Sequence, residues 1–477
     1  MTRCTTPSAL LLAAALIGPA AAAPAAAAPV GKDAPFVRVS PRDPRYFELS
    51  DGKPWIPIGL NMIFPPVETL DLGAMAAWLR SLGENRGTYI RLWLSGWSLD
   101  IETKKCGEYD LERAKRIDAV LAAARSHGIR LKLCLEHFRD VEGPKSWSTK
   151  ALHHVSNGGT AKSMADFFDG QPSRDQFRKK LAWYQARYGS DPAIFGWELW
   201  NEINAVRGGD FLAWTEAMLP ELHRLFPKSL CMQSLGSYDS DWCRKHYERL
   251  ARMPGNDVAQ VHRYLDLGAT YDVCKGPVDL LAADAVKEML KLDPKRPVLL
   301  AESGAVEPRH SGPFKLYAKD TEGILLHDVL FAPFFAGAAG PGHIWHWDVY
   351  VAKNALWRHF GRFGAAVEGI DPPAEGFEAL EIPAPGLRVR ALKGKRTFLA
   401  WLRDAESDWK TELAEGKPPR KVEGVSLALP AGVAPPASAT VRTYDPWADA
   451  WAPAKVEKGA IALPAFSRSL VVRIDTK

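Results

Sequence analysis

The sequence predicts an α/β protein: a (β/α)8 TIM barrel over residues 29–371, followed by a C-terminal antiparallel β-sandwich domain over 372–477. Three observations carry that reading. Eight short apolar runs alternate with amphipathic stretches between residues 56 and 350. Nearly every one of those runs ends on a residue able to do chemistry, and barrel sites are assembled at the C-terminal ends of several strands. Beyond the Pro- and Gly-rich stretch DPPAEGFEALEIPAPG the texture changes to short alternating runs, as expected of an antiparallel β domain.

In chain order, FVRVSPRDPRYFELSDGKPW reads as strand, turn and strand, with Asp51-Gly52 as a hairpin signal. The eight barrel strands are IPIGLNM, TYIRLWL (88–94), IRLKLCLEH (129–137), AIFGWELWNE (193–202), SLCMQSLG (229–236), DVAQVHRY (257–264), RPVLLAESG (296–304) and GHIWHWDVY (342–350). Between them, LGAMAAWLRSLGENRG, LERAKRIDAVLAAARSHG and RDQFRKKLAWYQARYG space their apolar residues three and four apart, and the last two end at a Gly stop. An open doubly wound sheet would share this periodicity; the chemistry at the strand ends favours the barrel. The connection from Phe138 to Gln171 is long, and long connections in compact domains are usually functional or mobile. The C-terminal runs are LRVRAL, TFLAWLRD, VSLALP, SATVRTYDP, AIALPA and SLVVRID.

Composition narrows the function classes. A chain of 477 residues with 47% hydrophobic and 25% charged residues can build a large core plus a smaller domain. Its net charge of +5 is spread along the chain rather than gathered into a patch, which argues against nucleic acid as a partner. The 17 Trp suit a protein that stacks flat apolar faces on a ligand as well as one with a bulky core. Arg3, the apolar stretch Leu10 to Ile17 and the Ala-rich run to Ala28 read as an export signal, residues 1–28, so the mature protein is expected to be secreted or periplasmic. No later run is long and apolar enough for a membrane span.

Setting Cys4 aside leaves Cys106, Cys134, Cys231, Cys243 and Cys274; the second and third sit in strand-like runs, and Cys243–Cys274 is the expected disulfide. No CxxC or HxxxH spacing occurs, and His153-His154 has no ligand pattern around it, so neither a metal nor an organic cofactor is expected. A monomer is expected.

The chemistry centres on Glu202 and Glu302. They stand one hundred residues apart, at the ends of the fourth and seventh strands, which face each other across the mouth of an eight-stranded barrel. Cleaving a glycosidic bond takes one carboxyl to protonate the leaving oxygen and a second to stabilise or bond the oxocarbenium-like carbon. Glu198 shares the strand parity of Glu202 and competes with it, but a strand Glu inside a barrel is more often a structural partner.

DPAIFGWELWNE resembles the fourth-strand signature of the clan A glycoside hydrolases, particularly the family 5 cellulases and β-mannanases, and RPVLLAESG resembles their seventh-strand motif. The likeness extends to IPIGLN, to Arg91 on the second strand, to His262-x-Tyr264 on the sixth and to Trp on the eighth, covering about residues 36–370 as an ordered series.

That resemblance implies Glu302 as nucleophile and Glu202 as acid and then base, its pKa raised by burial and by Glu302. It implies that Arg91 and Tyr264 orient Glu302 and keep it ionised, and that Asn201 holds a sugar 2-hydroxyl. His262 would bond Glu202 or a sugar hydroxyl, His137 would line the pocket, and Trp345 or Trp347 would floor it. Trp93, Trp97, Trp147, Trp200 and Trp242 are further stacking candidates. Two strand ends depart from the family 5 pattern: Ser303-Gly304 follows the seventh-strand Glu, and the third strand ends in LEHF. A related family in the clan fits equally well. The implied activity is retaining, endo-type hydrolysis, within the chain, of a β-linked glucan or mannan. An exo-β-glycosidase and a non-catalytic carbohydrate-binding barrel are the alternatives.

Overall fold

The computed structural model describes residues 28–66, 69–96, 98–137, 141, 152–292 and 294–476. The expected export signal up to residue 27, Trp97, Trp147 and, in the connection after the third strand, 138–140 and 142–151 lie outside the described residues. A three-stranded antiparallel sheet, Val37–Val39, Phe47–Leu49 and Pro54–Trp55, comes first.

Five parallel strands follow, hydrogen-bonded in chain order: Gly59–Asn61, Tyr89–Trp93, Arg130–Glu136, Ile194–Trp200 and Leu230–Met232. Every residue in them is buried, as parallel strands covered on both faces require. Ala259–His262 and Val298–Glu302 form a further parallel pair. Backbone bonds connect these pieces. Asp257 N–H donates to Cys231 O (2.9 Å), Ser303 N–H to His343 O (3.0 Å), and Asn61 N–H to Ile344 O (3.0 Å).

Several of the connecting helices start on side-chain caps. Asp71, Asp110 and Asp210 accept backbone N–H groups at the starts of Leu72–Glu84, Leu111–Ser126 and Phe211–Leu225, satisfying donors that the first helical turn leaves unpaired.

Residues 342–350 depart from the expected strand. Only Ile344 pairs, through a parallel bridge to Ser303, and Trp347–Ala352 is a turn of π-helix. The alternation IWHWDVY has strand periodicity, but Trp345 N–H already bonds Ser303 O and Val351 N–H reaches back to His346 O, so the chain coils after one residue of pairing. The expected Cys243–Cys274 disulfide is also corrected. Both cysteines are free and buried, and Cys243 Sγ instead donates to Ser237 O at 3.1 Å.

The C-terminal segment builds a six-stranded antiparallel sheet, in the order Glu378–Ala384, Leu387–Lys393, Thr397–Asp404, Ser469–Asp475, Thr440–Asp445, Ala450–Pro453. Alternation along Thr397–Asp404 divides its two faces. Leu399 and Trp401 join the main core, while Phe398, Ala400 and Leu402 pack with Val422, Leu427, Ile461 and Phe466 from small neighbouring sheets. The helix Ile324–Phe335 lies under the first face. All twelve of its residues are buried, which explains a helix apolar on every side. Phe331 stacks on Trp401 (centroids 5.9 Å apart), and Arg403 Nε donates to Asp328 at 2.8 Å.

Candidate active site

Glu302 closes the strand Val298–Glu302, where a register irregularity after Leu300 sets it opposite His262. Its side chain is almost fully buried, and both carboxylate oxygens are held. Arg91 Nη1 donates to Oε1, and the Tyr264 hydroxyl donates to Oε2 at 2.8 Å. Arg91 spends the rest of its fork on the fourth strand. Nε and Nη2 grip Glu198 at 2.8 and 2.9 Å, and Nη2 also reaches Asn201 Oδ1 at 2.8 Å. The planar guanidinium therefore fixes the nucleophile candidate, a structural carboxylate and the orientation of the Asn201 amide together.

Glu198 has no access to solvent. Burial alone would raise its carboxyl, but Arg91 and Lys132 (3.3 Å) overcome that and hold it at about 2. Lys132 in turn is pushed down to about 8, chiefly by burial. Glu198 is thus a permanent counter-ion within the parallel strands.

Glu202 lies just past the strand end, with backbone angles of φ 49° and ψ 54°, the left-handed region that non-glycine residues rarely occupy. Asn201 N–H donates to Glu136 O (2.7 Å) and Glu202 N–H to Ser234 Oγ (3.1 Å), so neighbouring strand ends fix the turn. One imidazole nitrogen bridges the two carboxylates: His262 Nδ1 is 3.0 Å from Glu202 Oε1 and 3.3 Å from Glu302 Oε2. A carboxylate at Glu302, which already accepts from Arg91 and Tyr264, can only accept, so Nδ1 is the donor to it. Nε2 is buried without a partner among the described residues.

A cavity of about 350 Å³ opens over these groups. Glu202, Glu302, Asn201, Tyr264, Trp345 and Trp347 line it, and Arg91 and His262 stand behind the carboxylates they bond. Trp345 and Trp347 meet edge to face at 5.8 Å, so both residues left open by strand parity reach the cavity.

His137 does not line it. Its ring stacks on Trp93 at 4.5 Å and its Nδ1 lies 2.6 Å from Ser95 Oγ, while Trp93 in turn meets Trp345 at 5.3 Å. Trp200 is buried against Phe167, Phe168 and Trp214, whereas Trp242 is 57% exposed and meets His246 edge to face.

Phe64, Val306, His310, Pro313, His346 and Asp348 also line it, with Gly312 and Val349, and the sequence reading missed them. Phe64 lies three residues beyond Asn61, the end of the first strand, and the coil after Ile344 brings in His346 and Asp348. Phe64 was within reach of a wider window around its strand end. His310 and Pro313 come from a loop carrying no motif.

Three groups of side chains have ligand atoms within 4.8 Å of one another and could hold a cation by geometry: Glu202, His262 and Glu302; Glu102, Glu136 and His153; and His223, Cys231 and Asp257. In the second, Lys180 Nζ already sits between the carboxylates, 2.8 Å from Glu102 and 2.6 Å from Glu136. Among the described residues no helix is long and apolar enough to cross a membrane.

No family model matches the chain. Over 198 residues it is 29% identical to mannan endo-1,4-β-mannosidase 3 of Oryza sativa subsp. japonica, covering 35% of this chain and 41% of that protein. Over 189 residues it is 28% identical to mannan endo-1,4-β-mannosidase 4 of the same rice, covering 34% and 40%. The chain thus spans about two fifths of the length of these relatives. A solved structure described as a glycoside hydrolase superposes with a TM-score of 0.59 at 13% identity, covering 93% of this chain and 97% of that one. The chain has the fold of a glycoside hydrolase and, in sequence, resembles the clan A enzymes around family 5, as its Asn201-Glu202 and Glu302 strand ends implied.

Proposed function

We propose that this chain is an exported, monomeric, retaining glycoside hydrolase that cleaves β-mannan within the polymer. The proposal includes a closed (β/α)8 barrel over residues 29–371 and a β-sandwich over 372–477. The run of backbone bonds from Cys231 through His343 to Asn61 supports closure, and the packing of the small sheets over one face of the six-stranded sheet supports the sandwich.

One observation carries the mechanism: two carboxylates face one cavity with different partners, and their nearest oxygens lie within 4.8 Å. Retaining enzymes place their carboxyl groups about 5–5.5 Å apart, leaving no room for a water between nucleophile and sugar. Glu302, held at both oxygens by Arg91 and Tyr264, is oriented to attack the anomeric carbon. Glu202, bonded to His262 and open to the cavity, donates its proton to the departing oxygen. The bond from Glu302 to the sugar forms as the glycosidic bond breaks. Glu202 then takes a proton from the water that releases the sugar from Glu302. Asn201, its carbonyl oxygen turned to Arg91, presents its amide to the sugar 2-hydroxyl.

The sugar comes from the relatives, both named as mannan endo-1,4-β-mannosidases. Glu302→Ala should lower turnover of β-mannan by about 10⁴-fold or more, and azide should restore it, giving an α-configured glycosyl azide. Unchanged activity would remove Glu302 from the reaction. Products from the unsubstituted protein should be manno-oligosaccharides; mannose alone would overturn cleavage within the chain.

A further inference from the structure

We propose that His346 is a sugar-binding residue: Tyr317 fixes its imidazole in the tautomer protonated at Nε2, and that N–H donates to a hydroxyl of the sugar in the cavity. The inference rests on the reading of the cavity as a glycan site and names a recognition element within it.

The tautomer follows from a short chain of hydrogen bonds. Ala305 N–H donates to the Tyr317 hydroxyl at 2.6 Å, so the phenol oxygen is already an acceptor. Its single proton has one acceptor within reach among the described residues, His346 Nδ1 at 3.2 Å. Tyr317 is 3% exposed, and a buried hydroxyl that failed to donate would carry a desolvation penalty. Nδ1 is therefore the acceptor, which leaves the proton on Nε2. His346 lines the cavity, and its Nε2 makes no hydrogen bond to any described residue.

The surroundings hold this arrangement in place. Gly304 has φ +134°, and a Cβ there would lie 2.7 Å from the Tyr317 hydroxyl oxygen, so only glycine leaves room for the phenol to reach His346. Tyr317 stacks on Tyr350 with centroids 4.0 Å apart, and Asn354 Nδ2 donates to its carbonyl at 2.8 Å. Burial, with His310 nearby, pushes His346 down to about 3, so the ring offers one neutral donor rather than a charge. A neutral N–H suits a hydroxyl oxygen. It stands beside Trp345, where a stacked sugar would turn its edge toward it.

Two measurements on the full chain test this. Nitrogen NMR of histidine-labelled protein, with His346 assigned by its loss in His346→Gln, should show Nδ1 bare and Nε2 protonated. Tyr317→Phe should abolish that preference, and a proton on Nδ1 in the unsubstituted protein would overturn the proposal. The second is calorimetry with mannotriose in a Glu202→Gln background. There His346→Phe should weaken binding roughly 5- to 10-fold, the worth of one neutral hydrogen bond, while His346→Gln, which keeps an N–H donor, should stay within about 2-fold of its parent. Equal binding by His346→Phe and its parent would overturn the role of His346 alone. A Glu202→Gln protein that bound no mannotriose would overturn the β-mannan reading, and this inference with it.

Discussion

Two cations in this molecule each hold a pair of buried carboxylates, and the pairs differ in access and in charge balance. Arg91 bridges Glu198 and Glu302, with Lys132 adding a second positive charge 3.3 Å from Glu198, so two cations meet two carboxylates. Lys180 bridges Glu102 and Glu136, with Asp100 also within its electrostatic reach and Arg113 adding only the smallest pull on Asp100, so one close cation serves three carboxyls. The consequence appears in the acidities. Against the cost of burial, Glu198 and Glu102 are each held at about 2 by their cations. Burial wins at the other two carboxyls near Lys180, pushing Glu136 up to about 7 and Asp100 to about 6. The same motif is thus a charged, oriented site where it faces the cavity and a partly protonated strut where it is sealed. Access and charge count decide which, and the residue types alone do not.

The contrast breaks most directly at its cations. Lys180→Met leaves the sealed carboxyls without a partner, and removing one member of a buried pair costs about 3–5 kcal/mol. Denaturant melting should show a loss of that size, while the fraction that remains folded at low temperature should keep a kcat within about 3-fold of the original, since the loss falls on stability rather than on transition-state charge. A kcat loss as large as that of an Arg91 variant would merge the two clusters into one machinery.

Arg91→Lys is the complementary change. It keeps the charge and loses the fork, so Glu198, Asn201 and Glu302 can no longer be held together. Turnover should fall about 100-fold, close to 3 kcal/mol of transition-state stabilisation, with KM changed little. An unchanged kcat would reduce Arg91 to a structural ion-pair residue.

This division also explains what the sequence could and could not show. Glu202, Glu302, Arg91, His262 and Tyr264 stand at or near strand ends, where period-two alternation and chain order place them without knowledge of distant contacts. Glu198 was recognisable as the structural alternative because it shares that parity. The Lys180 cluster was invisible: it joins a helix, a strand and two loops, 44 residues separating Lys180 from Glu136, and no local pattern encodes such a meeting. His137 was misplaced for a related reason. Its strand-end position is right, but its ring packs on Trp93, and it is Trp345 beyond Trp93 that lines the cavity. His346 and Asp348 were hidden inside an apparent strand that coils after Ile344, because alternation in the side chains does not reveal where the backbone bonds run out.

The finest test of the comparison is the proton on Glu136. Its carboxyl sits at about 7 in the folded protein, above the ordinary 4.5, because burial outweighs the pull of Lys180. Below pH 4.5 both folded and unfolded chains carry the proton, and whatever stability depends on it is fully present. As pH rises from there toward 7 the unfolded chain releases the proton first, so stability is lost across that window, by up to about 1.4 kcal/mol per pH unit. Glu136→Gln keeps the shape of the protonated acid and cannot titrate. The stability of the variant relative to the unsubstituted protein should therefore grow by about 1 kcal/mol between pH 5 and pH 6, read from urea melts at the two values. Asp100, which loses stability in the same direction, is present in both proteins and cancels from the difference. A difference that stayed flat with pH would mean that Glu136 is already ionised at pH 5, that Lys180 balances two charges rather than one, and that charge count does not separate the two clusters.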